Sequence, residues 1–141
     1  MTLIIDASAF VSLLIEEDQS NAVRAAVPRG TALLAPDLIL AEIANTLWLA
    51  SRRGRIDPED AQLALGLART RFARLFSAGP LGRRALQLAL EREHPAYDCL
   101  YVALAEQLRR PLVTSDRTLA KRFGDLAEIR FAGPAPAAQG G

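Results

Sequence analysis

The sequence predicts an α/β fold in which a central, mostly parallel sheet carries helices on both faces. Three observations point there. Short apolar runs of strand length alternate with longer segments of helical period. Two of those runs, Leu3-Ile4-Ile5 and Leu112-Val113-Thr114, lack the polar alternation of a half-exposed strand. Both are followed by an acid and then by a helical segment, the order expected of strands joined through helices. With 141 residues, half of them hydrophobic, the chain suits one domain with a sizeable core, expected over residues 1–131.

Leu3-Ile4-Ile5 reads as a buried strand stopped by Asp6, and Ala7 to Glu16 continues at helical spacing through Phe10, Leu13 and Leu14. A second helix is expected from about Gln19 to Val27, halted by Pro28-Arg29-Gly30, and Thr31 to Ala35 is the next strand. Asp37 is placed to cap a long helix through Trp48 and Ala50, with basic residues Arg52 and Arg53 at its end and Gly54 beyond. Asp57-Pro58-Glu59-Asp60 combines a capping acid, a proline at the first helical position and first-turn acids, starting a helix to about Arg74. Leu75 to Ala78 forms a short strand. Pro80 to Arg92 and Tyr97 to Arg109 are two more helices, parted at His94-Pro95 because proline disfavours helical geometry in the residue before it. Leu112 to Thr114 leads through Ser115-Asp116 into a short helix ending near Gly124, and Glu128 to Phe131 adds a last strand. The tail over 132–141, made of Ala, Gly, Pro and one Gln, has little to bury and is expected to be disordered.

The bulk charge narrows the function classes. Seventeen basic and 16 acidic residues leave a formal charge of +1, so no strong field selects nucleic acid or membrane, and any such contact must be local. Sixteen of the basic residues are Arg, whose planar fork suits phosphate and carboxylate. Cys99 is the only cysteine, which excludes an internal disulfide and a multi-cysteine metal site and places the chain in a reducing cytoplasm. The N-terminus lacks a basic stretch and reaches Asp6 at once, unlike a secretory signal. The longest apolar stretch, Thr31 to Ala50, is interrupted by Asp37, Glu42 and Asn45, whereas a membrane span needs about 20 nearly unbroken apolar residues.

Four acids stand where acids are costly or structurally pointed. Asp6 and Asp116 follow the ends of apolar strands, where open parallel sheets place their ligand crevice; each also fits a plain helix cap. Glu42 lies in Leu38 to Trp48, apolar around almost its whole circumference, so a buried helix is expected there. An ionised carboxylate without a partner costs several kcal/mol on burial, so something must face Glu42: a cavity shared with Asn45 one turn on, or a buried Arg. Asp98 repeats the anomaly at the start of Tyr97 to Ala105. Tyr97 and Tyr101, at i and i+4, are expected to pack in the core with a hydroxyl reaching a partner. Gathered together, four carboxylates repel one another unless a divalent cation sits among them, and an all-oxygen set suits Mg²⁺ or Mn²⁺. The single histidine, His94, is expected in a turn with a packing role.

The same four acids sit in Ile5-Asp6-Ala7-Ser8-Ala9, Pro36-Asp37-Leu38-Ile39-Leu40-Ala41-Glu42-Ile43-Ala44-Asn45, Ala96-Tyr97-Asp98-Cys99-Leu100-Tyr101-Val102-Ala103-Leu104-Ala105 and Leu112-Val113-Thr114-Ser115-Asp116. In that order the segments resemble the PIN domains of VapC-type toxins, over nearly the whole chain to about Phe131. The resemblance implies a three-layer α/β/α sandwich, an acidic pocket for one or two Mg²⁺ or Mn²⁺ ions, and hydrolysis of RNA phosphodiester bonds. It makes Asp6, Glu42, Asp98 and Asp116 the catalytic set, with Asp6, Asp98 and Asp116 on the metal. Ser8 and Ser115 stand beside the first and last acids, where a hydroxyl bonds a carboxylate or serves local capping. Many similar proteins carry a further acid after the last motif; Arg117, Thr118 and Leu119 stand here instead, which puts a second metal site in question.

Arg52, Arg53 and Arg55, and Arg117, Lys121 and Arg122, are candidates to hold an RNA backbone through charge, with ordinary solvated surface as the alternative. The resemblance also implies a homodimer and a cognate antitoxin that covers the site, and the Leu- and Ala-rich segment Pro80 to Arg92 offers surface for a partner helix. Rival chemistries fit less well. A dehalogenase-type phosphatase wants a second Asp where Ser8 stands, and a phosphoryl receiver wants a Lys where Thr114-Ser115-Asp116 stands. A catalytically inactive RNA-binding or scaffold module is the remaining alternative, and it would be expected to have lost an acid.

Overall fold

Leu3, Ile4 and Ile5 have no solvent-exposed face, and the strand they form is the middle of a five-stranded sheet. The computed structural model describes residues 1–134. In chain order the elements are β1 (Thr2–Ile5), α1 (Ala7–Val11), α2 (Ser20–Ala26), β2 (Ala32–Pro36), α3 (Leu38–Arg52), α4 (Pro58–Arg71), β3 (Phe72–Phe76), a 3-10 turn over Gly79–Leu81, α5 (Gly82–Arg92), α6 (Ala96–Leu108), β4 (Leu112–Thr114), α7 (Arg117–Phe123) and β5 (Ile129–Phe131). The strand order is β3-β2-β1-β4-β5 and every pairing is parallel. Right-handed crossovers then put α1 to α4 on one face and α5 to α7 on the other, giving three layers. The packing of α1 on α3 and α3 on α4, and separately of α5 on α6, follows that division.

The order in which strands are added reverses between β1 and β4: β2 and β3 lie to one side of β1, β4 and β5 to the other. Such a switch point opens a crevice beyond the carboxyl ends of the two strands that flank it. The register fixes what stands there. Ile5 is level with Val113, so the next residues, Asp6 and Thr114, emerge side by side.

Several elements differ from expectation for identifiable reasons. The first helix ends at Val11 rather than Glu16, because the amides of Ser12, Leu13 and Leu14 turn back to Ala9, Phe10 and Val11, a tightening that ends the regular ladder. Asp37 makes no side-chain cap; its Oδ1 accepts from the amide of Ala78 at 3.1 Å and ties the start of α3 to the segment after β3. β3 begins directly where α4 ends, three residues before the expected Leu75. α3 is not buried all round: Trp48 is 52% exposed, and Ala41, Asn45 and Leu49 also face outward. α6 does bury its run from Cys99 to Ala105. Of the expected tail, Ala132 is buried and its amide donates to the Thr114 carbonyl at 2.8 Å, prolonging the sheet edge; residues 135–141 lie outside the described residues. Among the described residues no helix is long and apolar enough to cross a membrane.

Candidate active site

Four elements deliver the four acids to one place. Asp6 follows β1, Glu42 projects from the second turn of α3, Asp98 from the first turn of α6, and Asp116 follows β4 at the start of α7. They line a single cavity of about 570 Å³ together with Ser8, Asn45, Tyr97 and Tyr101. Among the described residues no fifth carboxylate lines it.

Asp6 is buried and bound on both oxygens. Oδ1 accepts from the Ser8 hydroxyl at 2.7 Å and the Ala9 amide at 3.0 Å, and Oδ2 accepts from the Thr114 hydroxyl. It is thus a helix cap and a cavity acid at once. Burial drives its pKa up from 3.8 to about 6; the hydrogen bonds oppose that rise and the charge of Asp98 adds to it. Thr114 was not singled out in the sequence, yet its hydroxyl also accepts the Asp116 amide at 3.0 Å, so it links the first and last acids. The cue was its place at the end of a buried strand, where a polar side chain needs a partner.

The remaining acids each have one oxygen held by protein. Glu42 Oε1 accepts from the buried Tyr101 hydroxyl at 2.6 Å, so the partner is a phenol and not an Arg. Burial raises the Glu42 pKa, the Tyr101 bond lowers it, and Asp98 raises it again; burial first, then Glu42, raises that of Tyr101. Asp116 Oδ1 caps α7 by accepting from the amides of Thr118 at 2.9 Å and Leu119 at 3.2 Å. Asp98 Oδ2 lies 2.8 Å from Nε2 of His94. Among the described residues the second oxygens of Glu42, Asp98 and Asp116 have no protein partner.

Other candidates are placed differently. Ser8 bonds Asp6 and also accepts the Ser115 amide at 3.1 Å, but the Ser115 hydroxyl turns away and donates to the Ala132 carbonyl at 2.6 Å. Tyr97 is 67% exposed at the cavity wall instead of in the core, because it lies in the first turn of α6, ahead of the buried stretch that begins at Cys99. His94 is buried and bonded to Asp98, a contact the sequence reading missed; its i to i+4 spacing from Asp98 was the available signal. Cys99 packs in the core, its thiol pushed up to about 11 by burial. None of the basic candidates lines the cavity. Arg52 stacks over Trp48, Arg117 over Phe131, and Arg55 donates to the Glu16 carbonyl, while Arg53 and Lys121 are exposed. Nη1 of the exposed Arg122 meets the Glu93 carbonyl and His94.

The donor set fits a hard divalent cation. It offers carboxylate oxygens, and two of its acids are raised in pKa partly by the charge of a third.

The PIN domain profile matches residues 3–124, most of the chain. The chain belongs to the PIN-domain family. Within that family it aligns with proteins of the VapC group. Ribonuclease VapC3 of Pyrobaculum aerophilum is 37% identical over 125 residues, covering 87% of this chain and 95% of the relative. Among solved structures, PAE2754 of the same organism superposes with a TM-score of 0.68 at 27% identity, covering 92% of this chain and 89% of that chain. The VapBC2 complex of Rickettsia felis, solved with a promoter DNA fragment, contains a chain that shares the fold at a TM-score of 0.66 and 15% identity, with 93% and 98% covered.

Proposed function

We propose that this PIN domain is a metal-dependent ribonuclease, the toxin of a toxin–antitoxin pair, which hydrolyses RNA phosphodiester bonds in the acidic cavity. The observation that carries the reading is the convergence of Asp6, Glu42, Asp98 and Asp116, from four separate elements, on one cavity. The relatives named ribonuclease support the substrate class. In this reading Asp6, Asp98 and Asp116 hold Mg²⁺ or Mn²⁺ and Glu42 completes the catalytic set. A divalent cation bound there would acidify an attacking water and neutralise phosphate charge, so no protein nucleophile is required.

The chain's own residues supply positioning. Ser8, the Ala9 amide and Thr114 fix the plane of the Asp6 carboxylate, and the Tyr101 hydroxyl holds one oxygen of Glu42 while the other is left to take a proton or a polar substrate group. Asn45, on the cavity wall, is an amide that donates to phosphate or ribose. Arg52 and Arg53 at the end of α3, and Arg117 and Lys121 on α7, would attract the RNA backbone beyond the cavity. The partners in this reading are RNA, a cognate antitoxin and a second copy of the chain. Fold neighbours solved as toxin–antitoxin complexes support the antitoxin, and the exposed Leu86 and Leu90 of α5 provide apolar surface for a partner. A reducing cytoplasm suits the lone buried thiol.

The test is cleavage of total and transfer RNA by purified chain with Mg²⁺, Mn²⁺ or EDTA, beside Asp6→Asn. Metal-dependent cutting that disappears in Asp6→Asn supports the reading. Equal cutting by both proteins, or none by folded, antitoxin-free chain across a broad RNA set, favours a binding module instead.

A further inference from the structure

Asp98 is gripped by the chain's only histidine. Nε2 of His94 lies 2.8 Å from Asp98 Oδ2, and Nδ1 lies 3.1 Å from an Nη1 of Arg122. A guanidinium carries donors and no acceptor, so Arg122 can face only a ring nitrogen with a free lone pair. Nδ1 is therefore the acceptor, and in the neutral ring Nε2 carries the hydrogen that points at Asp98. The arrangement is braced on every side. The same Arg122 Nη1 donates to the Glu93 carbonyl at 2.8 Å, and the Arg122 carbonyl accepts from Arg92 at 2.6 Å. Left-handed Glu93 turns the chain so that His94 points inward, where Phe123 meets its ring edge-on at 5.3 Å.

By distance alone His94 could be a metal ligand, since its ring nitrogen and one oxygen each of Asp98 and Asp116 lie within 4.8 Å of one another. The tautomer argues otherwise. A ligating nitrogen must turn a lone pair towards the metal, and Arg122 leaves Nε2 with a hydrogen there. We propose that His94 is a positioning residue: its Nε2–H holds Oδ2 of Asp98, leaves Oδ1 for the cation, and is kept in that tautomer by Arg122. The role rests on the reading of Asp98 as a metal ligand given above, whereas the tautomer can be observed without any metal.

Because His94 is the sole histidine, long-range ¹H–¹⁵N NMR of the full, tag-free chain at about pH 8, above the ordinary range of a free imidazole, reports on it without ambiguity. The expected spectrum shows a protonated Nε2 and an unprotonated Nδ1, in EDTA and again with saturating Mg²⁺. The reverse pattern in EDTA, or loss of the Nε2 proton when Mg²⁺ or Zn²⁺ is added, overturns the proposal and makes His94 a ligand. Mn²⁺ titration followed by electron paramagnetic resonance tests the consequence. His94→Leu is expected to bind Mn²⁺ about 10–100-fold more weakly, as loss of a group that orients a ligand does. His94→Gln, which offers an amide N–H in place of Nε2–H, should recover most of that loss. Equal weakness of the two variants, or wild-type affinity in His94→Leu, overturns the proposal. Asp98→Asn is titrated alongside: if it binds Mn²⁺ like wild type, the reading of Asp98 as a ligand fails separately, while the spectrum still judges the tautomer.

Discussion

Replacing Asp6 by Asn should stabilise the metal-free protein while abolishing its activity. The folded chain raises the Asp6 pKa from 3.8 to about 6 through burial, a difference worth about 3 kcal/mol once the carboxylate is ionised in both folded and unfolded chains. Asn keeps an acceptor for Ser8 and Ala9, but its amide must meet the Thr114 hydroxyl that now donates to Oδ2, and re-aiming that bond costs about 1 kcal/mol. A net gain of about 2 kcal/mol remains, or roughly 6 °C in Tm for a chain of this size. The pH dependence follows from the direction of the shift. Between about pH 4 and pH 6 the folded chain retains a proton that the unfolded chain has released, so wild-type stability falls as pH rises through that window and is level above it. The advantage of Asn should therefore be largest at pH 8 and lost at pH 4, where the cost of re-aiming the Thr114 bond leaves Asn slightly the less stable. Saturating Mn²⁺ should reverse the order, since a ligand at 100 times its Kd adds about 2.7 kcal/mol to the protein that binds it. Thermal unfolding followed by circular dichroism at pH 4, 6 and 8, in EDTA and in Mn²⁺, measures all of this. An Asp6→Asn protein less stable than wild type in EDTA at pH 8 would refute the reasoning, because the three hydrogen bonds to the charged carboxylate would then outweigh its burial.

The two roles of Asp116 are separable: Asp116→Asn should keep the α7 cap yet lose metal binding, whereas Asp116→Ala should lose both and cost about 1 kcal/mol more, as urea unfolding beside Mn²⁺ titration would report. Tyr101→Phe leaves Glu42 Oε1 without its donor, so stability should drop by about 1–2 kcal/mol and kcat should fall more than KM rises; unchanged kcat would detach Glu42 from the chemistry. Neutralising Arg52 and Arg53 should weaken binding to RNA of any sequence and lower the salt slope by roughly 0.7 per lost phosphate contact, with kcat unaffected; an unchanged slope would make them ordinary surface.

The acids could be found in the sequence because each breaks a local rule. Glu42 and Asp98 interrupt apolar helical runs and stand out by periodicity, whereas Asp6 and Asp116 follow buried strands at positions that also fit a plain cap and were joined to the set by the resemblance of the four segments. The parallel sheet was legible for a similar reason: runs apolar on both faces need helices on both sides. Periodicity did less well at α3, where Trp48 read as core and instead faces outward. A hydrophobic pattern says that surface should be covered, not whether this chain or a partner covers it. It held for Tyr101, which is buried with its hydroxyl on Glu42, and failed for Tyr97, which stands in solvent one turn earlier.

By itself, then, the sequence determined which elements form, the α/β class and the four acids, because those depend on the order and period of nearby residues. Only the tertiary structure decided which polar groups hold the acids in place. Thr114 against Asp6 follows from the register of β1 on β4, and Tyr101 against Glu42 joins side chains of two helices that belong to opposite layers. Arg122 against His94, and the proton that contact places on Nε2, follow from the docking of α7 on the turn before α6. These partners are separated by 108, 59 and 28 positions in the chain. Hydrogen bonds that act over about 3 Å carry no signature in a sequence at such separations until packing closes the distance.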